Sequence, residues 1–223
     1  MMNEDEMFGP VLQNYLSGAG PETPCLIAAP FINCQTLEKI APNDNNLVII
    51  TSWRIDHLLS GVSSLDLYPL CLDKGWKLFI NNRLHAKLYT CGFESLYLGS
   101  ANVTEKALFD KEGNIECLIA VDKITDEMSV ELYRLVASSV MVDDYVFDQY
   151  AIALSNAPAD ITEEYLDLEM KIKNPFHIFQ LPATEDPRDV IDFLMDDIRP
   201  TPSIYHDIAL FITKVPTFNY DVV

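Results

Sequence analysis

The chain is poor in positive charge. Its 223 residues include 15 lysines and arginines against 34 aspartates and glutamates, a formal net charge of −19. Proteins that hold nucleic acid gain affinity by neutralising phosphates with Lys and Arg. This balance therefore argues against strong unaided DNA binding and leaves room for a local basic pocket only. Histidine is scarce as well: His57, His85, His177 and His206 are the full set. The five cysteines, Cys25, Cys34, Cys71, Cys91 and Cys117, form no CxxC pair and supply no clustered zinc ligands. Three of them lie in strand-like apolar runs, so the expectation is buried free thiols in a reducing compartment. Apolar runs such as CLIAAPFI (25–32) are too short to span a bilayer. The opening MMNEDEMF is acidic where a secretory signal needs basic residues and then an apolar stretch. The expectation is a cytoplasmic protein with no membrane partner. No internal repeat and no low-complexity tract is present.

What remains is ordinary globular material, 49% hydrophobic and 22% charged, enough for one substantial core and an appendage. Residues 5–17 read as a helix whose pattern Pro10 interrupts. CLIAAPFI (25–32) and NLVIITS (46–52) are continuous apolar runs of the kind found in strands covered on both faces. Between them QTLEKIA (35–41) reads as a short helix. WRIDHLLSG (53–61) and SSLDLYPLCLDKG (63–75) are helical or mixed, punctuated by Gly61 and Gly75. WKLFINN (76–82), LHAKLYTC (84–91), SLYLGS (95–100) and IECLIAVD (115–122) read as strands, with a tight turn at 92–94. ANVTEKALFD (101–110) reads as a helix start capped by Asn102 or Thr104. Helical spacing recurs from Thr125 to about Ser139 and again near 143–155. Beyond that, prolines divide the chain and acids accumulate, and 186–198 reads as a helix capped by Asp186. The expected fold is α/β, a mixed central sheet flanked by helices over residues 1–155. An acidic, mostly helical appendage, for partner docking or regulation, occupies 156–223.

One stretch carries chemistry: RLHAKLYTCGFESLYLGSAN (83–102). Residues two apart on a strand share a face, so a strand over 84–91 would project His85 and Lys87 together. An imidazole nucleophile beside a fixed cation suits attack on a phosphodiester. The His takes the phosphoryl group covalently, and the Lys stabilises charge on its oxygens. The following SLYLGSAN returns Ser100 and Asn102 to the same end, where Gly99 permits close backbone approach and the Asn amide donates to a phosphate oxygen. Arg54, just after the second strand, is a candidate phosphate contact at the cleft mouth. Trp53 and Trp76 read as core residues.

The spacing of His85, Lys87, Gly99, Ser100 and Asn102 resembles the HxKx4Dx6GSxN motif of the phospholipase D superfamily. Flanking segments are similar to its single-motif branch, which includes metal-independent restriction endonucleases: APFI (29–32), IIT (49–51), LHAKLY (84–89), GSANVT (99–104) and NIE (114–116). The resemblance covers roughly residues 24–122. It implies a phospholipase D-like fold, no metal or other cofactor, and catalysis by His85, Lys87, Ser100 and Asn102. It also implies a role for Glu116, the acid that contacts the catalytic histidine in that family. The motif's supporting aspartate position is Gly92 here, as in restriction-like members that lack the acid.

The family's mechanism uses two such motifs, one histidine attacking and the other protonating the leaving oxygen. This chain has one: no other histidine is followed by Lys at +2. The expectation is therefore a homodimer that shares its active site across a twofold axis. The implied function is a DNA endonuclease working through a phosphohistidine, in restriction or phage defence, with a helicase or ATPase partner subunit. Two alternatives compete: a phosphodiesterase for lipid or small phosphodiesters, and a catalytically silent dimeric interaction module.

Overall fold

The computed structural model describes residues 7–18, 20, 23–41 and 46–157. The segment after Ala157, with its expected acidic appendage, its helix at 186–198, His177 and His206, lies outside the described residues.

The apolar runs become a mixed seven-stranded sheet flanked by helices, as the α/β expectation has it. Strands β1 (Cys25–Ala28), β2 (Leu47–Thr51) and β3 (Lys77–Ile80) are parallel neighbours. Strands β4 (Lys87–Cys91), β5 (Ser95–Gly99) and β6 (Leu118–Val121) continue from β1 as an antiparallel meander. The two-residue β7 (Val140–Met141), which the sequence pattern did not announce, pairs antiparallel with β3 and gives the order β6-β5-β4-β1-β2-β3-β7.

The helices divide unequally between the faces. Helices α1 (Phe8–Ser17), α2 (Cys34–Ile40), α3 (Ile55–Leu59), α4 (Leu67–Lys74), α5 (Glu105–Leu108) and α7 (Asp144–Ser155) all send buried side chains into one core, with Ile27, Ile49, Leu78 and Tyr89 of the sheet. On the other face, among the described residues, α6 (Asp126–Ala137) is the helix that packs, placing Leu132, Tyr133 and Val136 against Leu26, Val48, Ile50 and Phe79. Trp53 and Trp76 are core residues, as their sequence context indicated.

Three local expectations are corrected. Pro10 does not interrupt α1, because it falls in the first turn, where a helix has no use for the missing N–H. Asn102 caps no helix; α5 begins after Thr104, which makes no side-chain cap bond either. Cys25 and Cys91 are not free thiols: the β1–β4 register sets them directly opposite each other, and they are joined as a disulfide. Cys34, Cys71 and Cys117 are free. Such a pair is uncommon in a reducing cytosol, so cysteine usage no longer supports that compartment. Among the described residues no helix is long and apolar enough to cross a membrane.

Candidate active site

Topology gathers the sequence-predicted residues at one end of the sheet. Lys87 opens β4 opposite Gly99, which closes β5, and Gly99 lies opposite Leu118, which opens β6. Three adjacent strands about 4.8 Å apart thus bring Lys87, Ser100 and Glu116 to a common edge. The same edge holds the carboxyl ends of β1, β2 and β3, because Ala28 pairs with Leu88. In open α/β sheets ligands bind outside those carboxyl ends.

His85 lies outside the strand that sequence spacing gave it. The ladder starts at Lys87, since β5 ends at Gly99 and offers no residue opposite 85. Instead a tight turn leads into the histidine, with Leu84 N–H donating to Asn81 O at 2.9 Å. That turn is fastened on both sides. Asn82 Oδ1 accepts from Trp53 N–H at 2.9 Å, and Asn81 Nδ2 donates to Ser138 Oγ at 3.0 Å. His85 is therefore presented exposed, on a fixed support, and its imidazole has no hydrogen-bond partner among the described residues.

Lys87 is the contrast: only 6% exposed, with Nζ donating to the carbonyl of His85 at 2.8 Å. Burial pushes its pKa below the usual lysine range, and the nearby charge of Glu116 partly restores it.

The GSAN segment is locked from both sides. Tyr89, buried in β4, donates its hydroxyl to Ala101 O at 2.6 Å. Ser100 N–H donates to Cys117 O at 2.9 Å, and Cys117 N–H donates to Ser100 Oγ at 3.0 Å. Gly99 is needed for this closeness: a Cβ there would sit 2.0 Å from the Cys117 carbonyl oxygen. The Ser100 hydroxyl donates to Glu116 Oε2, and Asn114 Nδ2 donates to Glu116 Oε1 at 3.1 Å. Both oxygens of Glu116 thus engage Ser100 and Asn114, where the family resemblance implied a contact with histidine. Asn102 Oδ1 accepts from Phe31 N–H at 3.4 Å, which leaves its NH2 end as the donor.

Arg54 stands at the same edge, just beyond β2, but its guanidinium forms a fork on Asp56 at 3.1 and 3.2 Å. Gly92, at the motif's aspartate position, is a turn residue with φ of 65°, which is costly for a residue with a side chain. The turn at 92–94 therefore selects glycine at the far end of the sheet from His85.

Sequence reasoning did not single out Phe31, Tyr89 or Asn114. Each lies within a segment that carried the resemblance, APFI, LHAKLY or NIE, but hydrogen bonding across strands is invisible in a linear pattern. No protein-family model matches the chain, and no curated protein matches it.

Proposed function

We propose that the chain is a phosphodiesterase of the phospholipase D type, acting as a homodimer through a phosphohistidine, with DNA as the substrate of its endonuclease activity. The observation that supports this reading most is the convergence of His85, Lys87, Ser100, Asn102 and Glu116 at one sheet edge. In the first step an imidazole nitrogen of His85 attacks phosphorus, a P–N bond forms, and the P–O bond to the leaving alcohol breaks. The leaving oxygen takes a proton from His85 of a second copy. Water, deprotonated by that second imidazole, then attacks phosphorus and releases His85. Lys87 and the amide end of Asn102 hold the non-bridging oxygens, where charge develops. Glu116 keeps Lys87 charged and fixes Ser100. These groups supply the charge stabilisation without calling on a metal.

The acidic balance of the chain fits delivery of DNA by a partner subunit, such as a helicase or ATPase, in a restriction or antiviral system. The test is hydrolysis of a chromogenic phosphodiester and of single-stranded DNA in EDTA. Cleavage should persist there and be absent in His85→Ala. Loss of cleavage in EDTA would sink the metal-free mechanism. Mixing His85→Ala with unmodified chain should give dimers of reduced activity; an active monomer would overturn the shared site.

A further inference from the structure

A groove of about 820 Å³ opens beside Asn102. It lies between the link after β1, the loop after α3 and the GSAN segment, and its lining includes Phe31, Val62, Ser63, Asn102 and Asn114. Its walls are held rather than loose. The 61–63 loop hangs from the carbonyl of His57 through the N–H groups of Val62 and Ser63, at 3.1 and 3.2 Å. Ser63 Oγ donates to Ser52 O at 3.0 Å. Opposite, Val103 N–H donates to Phe31 O at 3.1 Å and Asn33 N–H to Val103 O at 2.8 Å. The groove meets the candidate site at two points: Asn102 belongs to the motif, and Asn114 is bonded to Glu116.

The chemistry of the lining selects a ligand class. Four charged side chains reach it, Lys39, Asp66, Glu105 and Lys106, two of each sign, and Lys39 is tied to Glu105 at 2.6 Å. A track for successive phosphates would carry an excess of cations. What is offered instead is amide and hydroxyl groups, with the half-buried ring of Phe31 among them. This suits a neutral base and sugar. The volume falls in the roughly 300–1,000 Å³ range of small-molecule sites. It has room for an unpaired nucleoside, whereas a duplex keeps its bases stacked and paired inside the helix, where amide and hydroxyl groups of a groove cannot engage them.

We infer that this groove is a nucleoside subsite flanking the scissile phosphate, so that the substrate is a single-stranded nucleic acid. The inference rests on the phosphodiesterase reading for the position of the phosphate. The net charge of −19 points the same way. A chain with so little counterion release to draw on must bind through stacking and hydrogen bonds to exposed bases.

Binding separates this inference from the chemistry. Fluorescence anisotropy on the full chain carrying His85→Ala would use one short labelled oligonucleotide as single-stranded DNA, as RNA and as the DNA duplex. The expected result is single strands bound at least ~10-fold tighter than duplex, since stacking requires unpaired bases. Affinity should fall less than ~10-fold between about 50 and 200 mM salt, against the ~10³-fold or more of phosphate-driven binding. Val62, 45% exposed, carries no core packing. Val62→Trp should fill the groove and weaken single-strand binding by ~10-fold, with an unchanged melting profile; Lys106→Trp repeats the test from the other wall. Duplex bound as tightly as single strand, or binding indifferent to both tryptophans, overturns the subsite. Chromogenic diester hydrolysis by the unmodified chain reports on the phosphodiesterase reading separately. Its absence alongside groove-dependent binding would sink the chemistry and leave the subsite standing.

Discussion

The two halves of the sheet are built to different standards. Every residue of β1 and β2 is buried, with helices on one face and α6 on the other. In β6 both Ile119 and Ala120 are exposed, and Leu98 of β5, directly opposite Ile119, is 41% exposed. Parallel strands tolerate no water on either face, whereas an antiparallel meander is stable with one face wet. The candidate chemistry sits on the second half, at the strand ends that line up with the carboxyl ends of β1, β2 and β3. The parallel half, the frame, is thus buried on both faces, whereas the antiparallel, open half leaves side chains of β5 and β6 exposed. The turn before His85 is bonded to Trp53 of the frame, while Ser100 and Glu116 are bonded to each other across the open half.

The largest effect that tests this division is on activity alone. His85→Ala should lower phosphodiester hydrolysis by at least ~10³-fold, because the proposed nucleophile is gone. The melting temperature should hold, since His85 is exposed and its ring bonds to nothing described. Residual cleavage within ten-fold of the unmodified rate would remove His85 from the mechanism. Gly99→Ala joins the two halves of the argument. Its Cβ would be driven into the Cys117 carbonyl, 2.0 Å away, so the β5–β6 end must splay. Overpacking of this kind costs ~1–3 kcal/mol, and Ser100 and Glu116 should separate with it. A variant that keeps both its melting temperature and its activity would show that the close approach is dispensable.

A smaller effect, on stability alone, separates frame from open half. Ile49→Ala empties a fully buried site in β2 and should cost ~2–5 kcal/mol in urea unfolding. Ile119→Ala, at a position 62% exposed, should stay within ~0.5 kcal/mol. Equal costs at the two positions would mean that β6 is covered in solution, and would contradict the picture of an open half.

Much of the frame was legible because its signal is local. Runs such as CLIAAPFI and NLVIITS announce buried strands through composition alone. Glycine at 75 marks the end of α4 through its left-handed conformation. The candidate site was legible through spacing, since His85, Lys87 and Asn102 stand at fixed offsets around one hairpin. What escaped was set by register. Cys25 meets Cys91 at a sequence separation of 66, which no local pattern encodes. Strand β7 is two residues long and exists because β3 has an edge to pair. His85 fell off its strand because the ladder ran out of partners. The same holds for Glu116: its sequence position matched, but its partner is decided by where Ser100 and Asn114 arrive.

The finest prediction concerns the charge on Lys87. In the proposed mechanism its ammonium meets negative charge in the transition state, so activity would require the protonated form. Burial lowers its pKa, because desolvation disfavours the charged state, so deprotonation in the folded protein begins below the 10.5 of a free lysine. As pH rises through that lowered pKa, kcat/KM on a small chromogenic diester should fall, and the alkaline limb should lie below 10.5. Glu116 opposes the shift by favouring the cation. Glu116→Gln keeps the size of the side chain and a hydrogen-bonding group for Ser100 but removes the negative charge. The pKa of Lys87 should then drop further, and the alkaline limb should move to lower pH. A merely structural role for Glu116 would lower the rate at every pH and leave the limb in place. A limb that stays fixed in Glu116→Gln would therefore confine Glu116 to holding Ser100, and the electrostatic coupling between the open half's acid and its buried lysine would have to be given up.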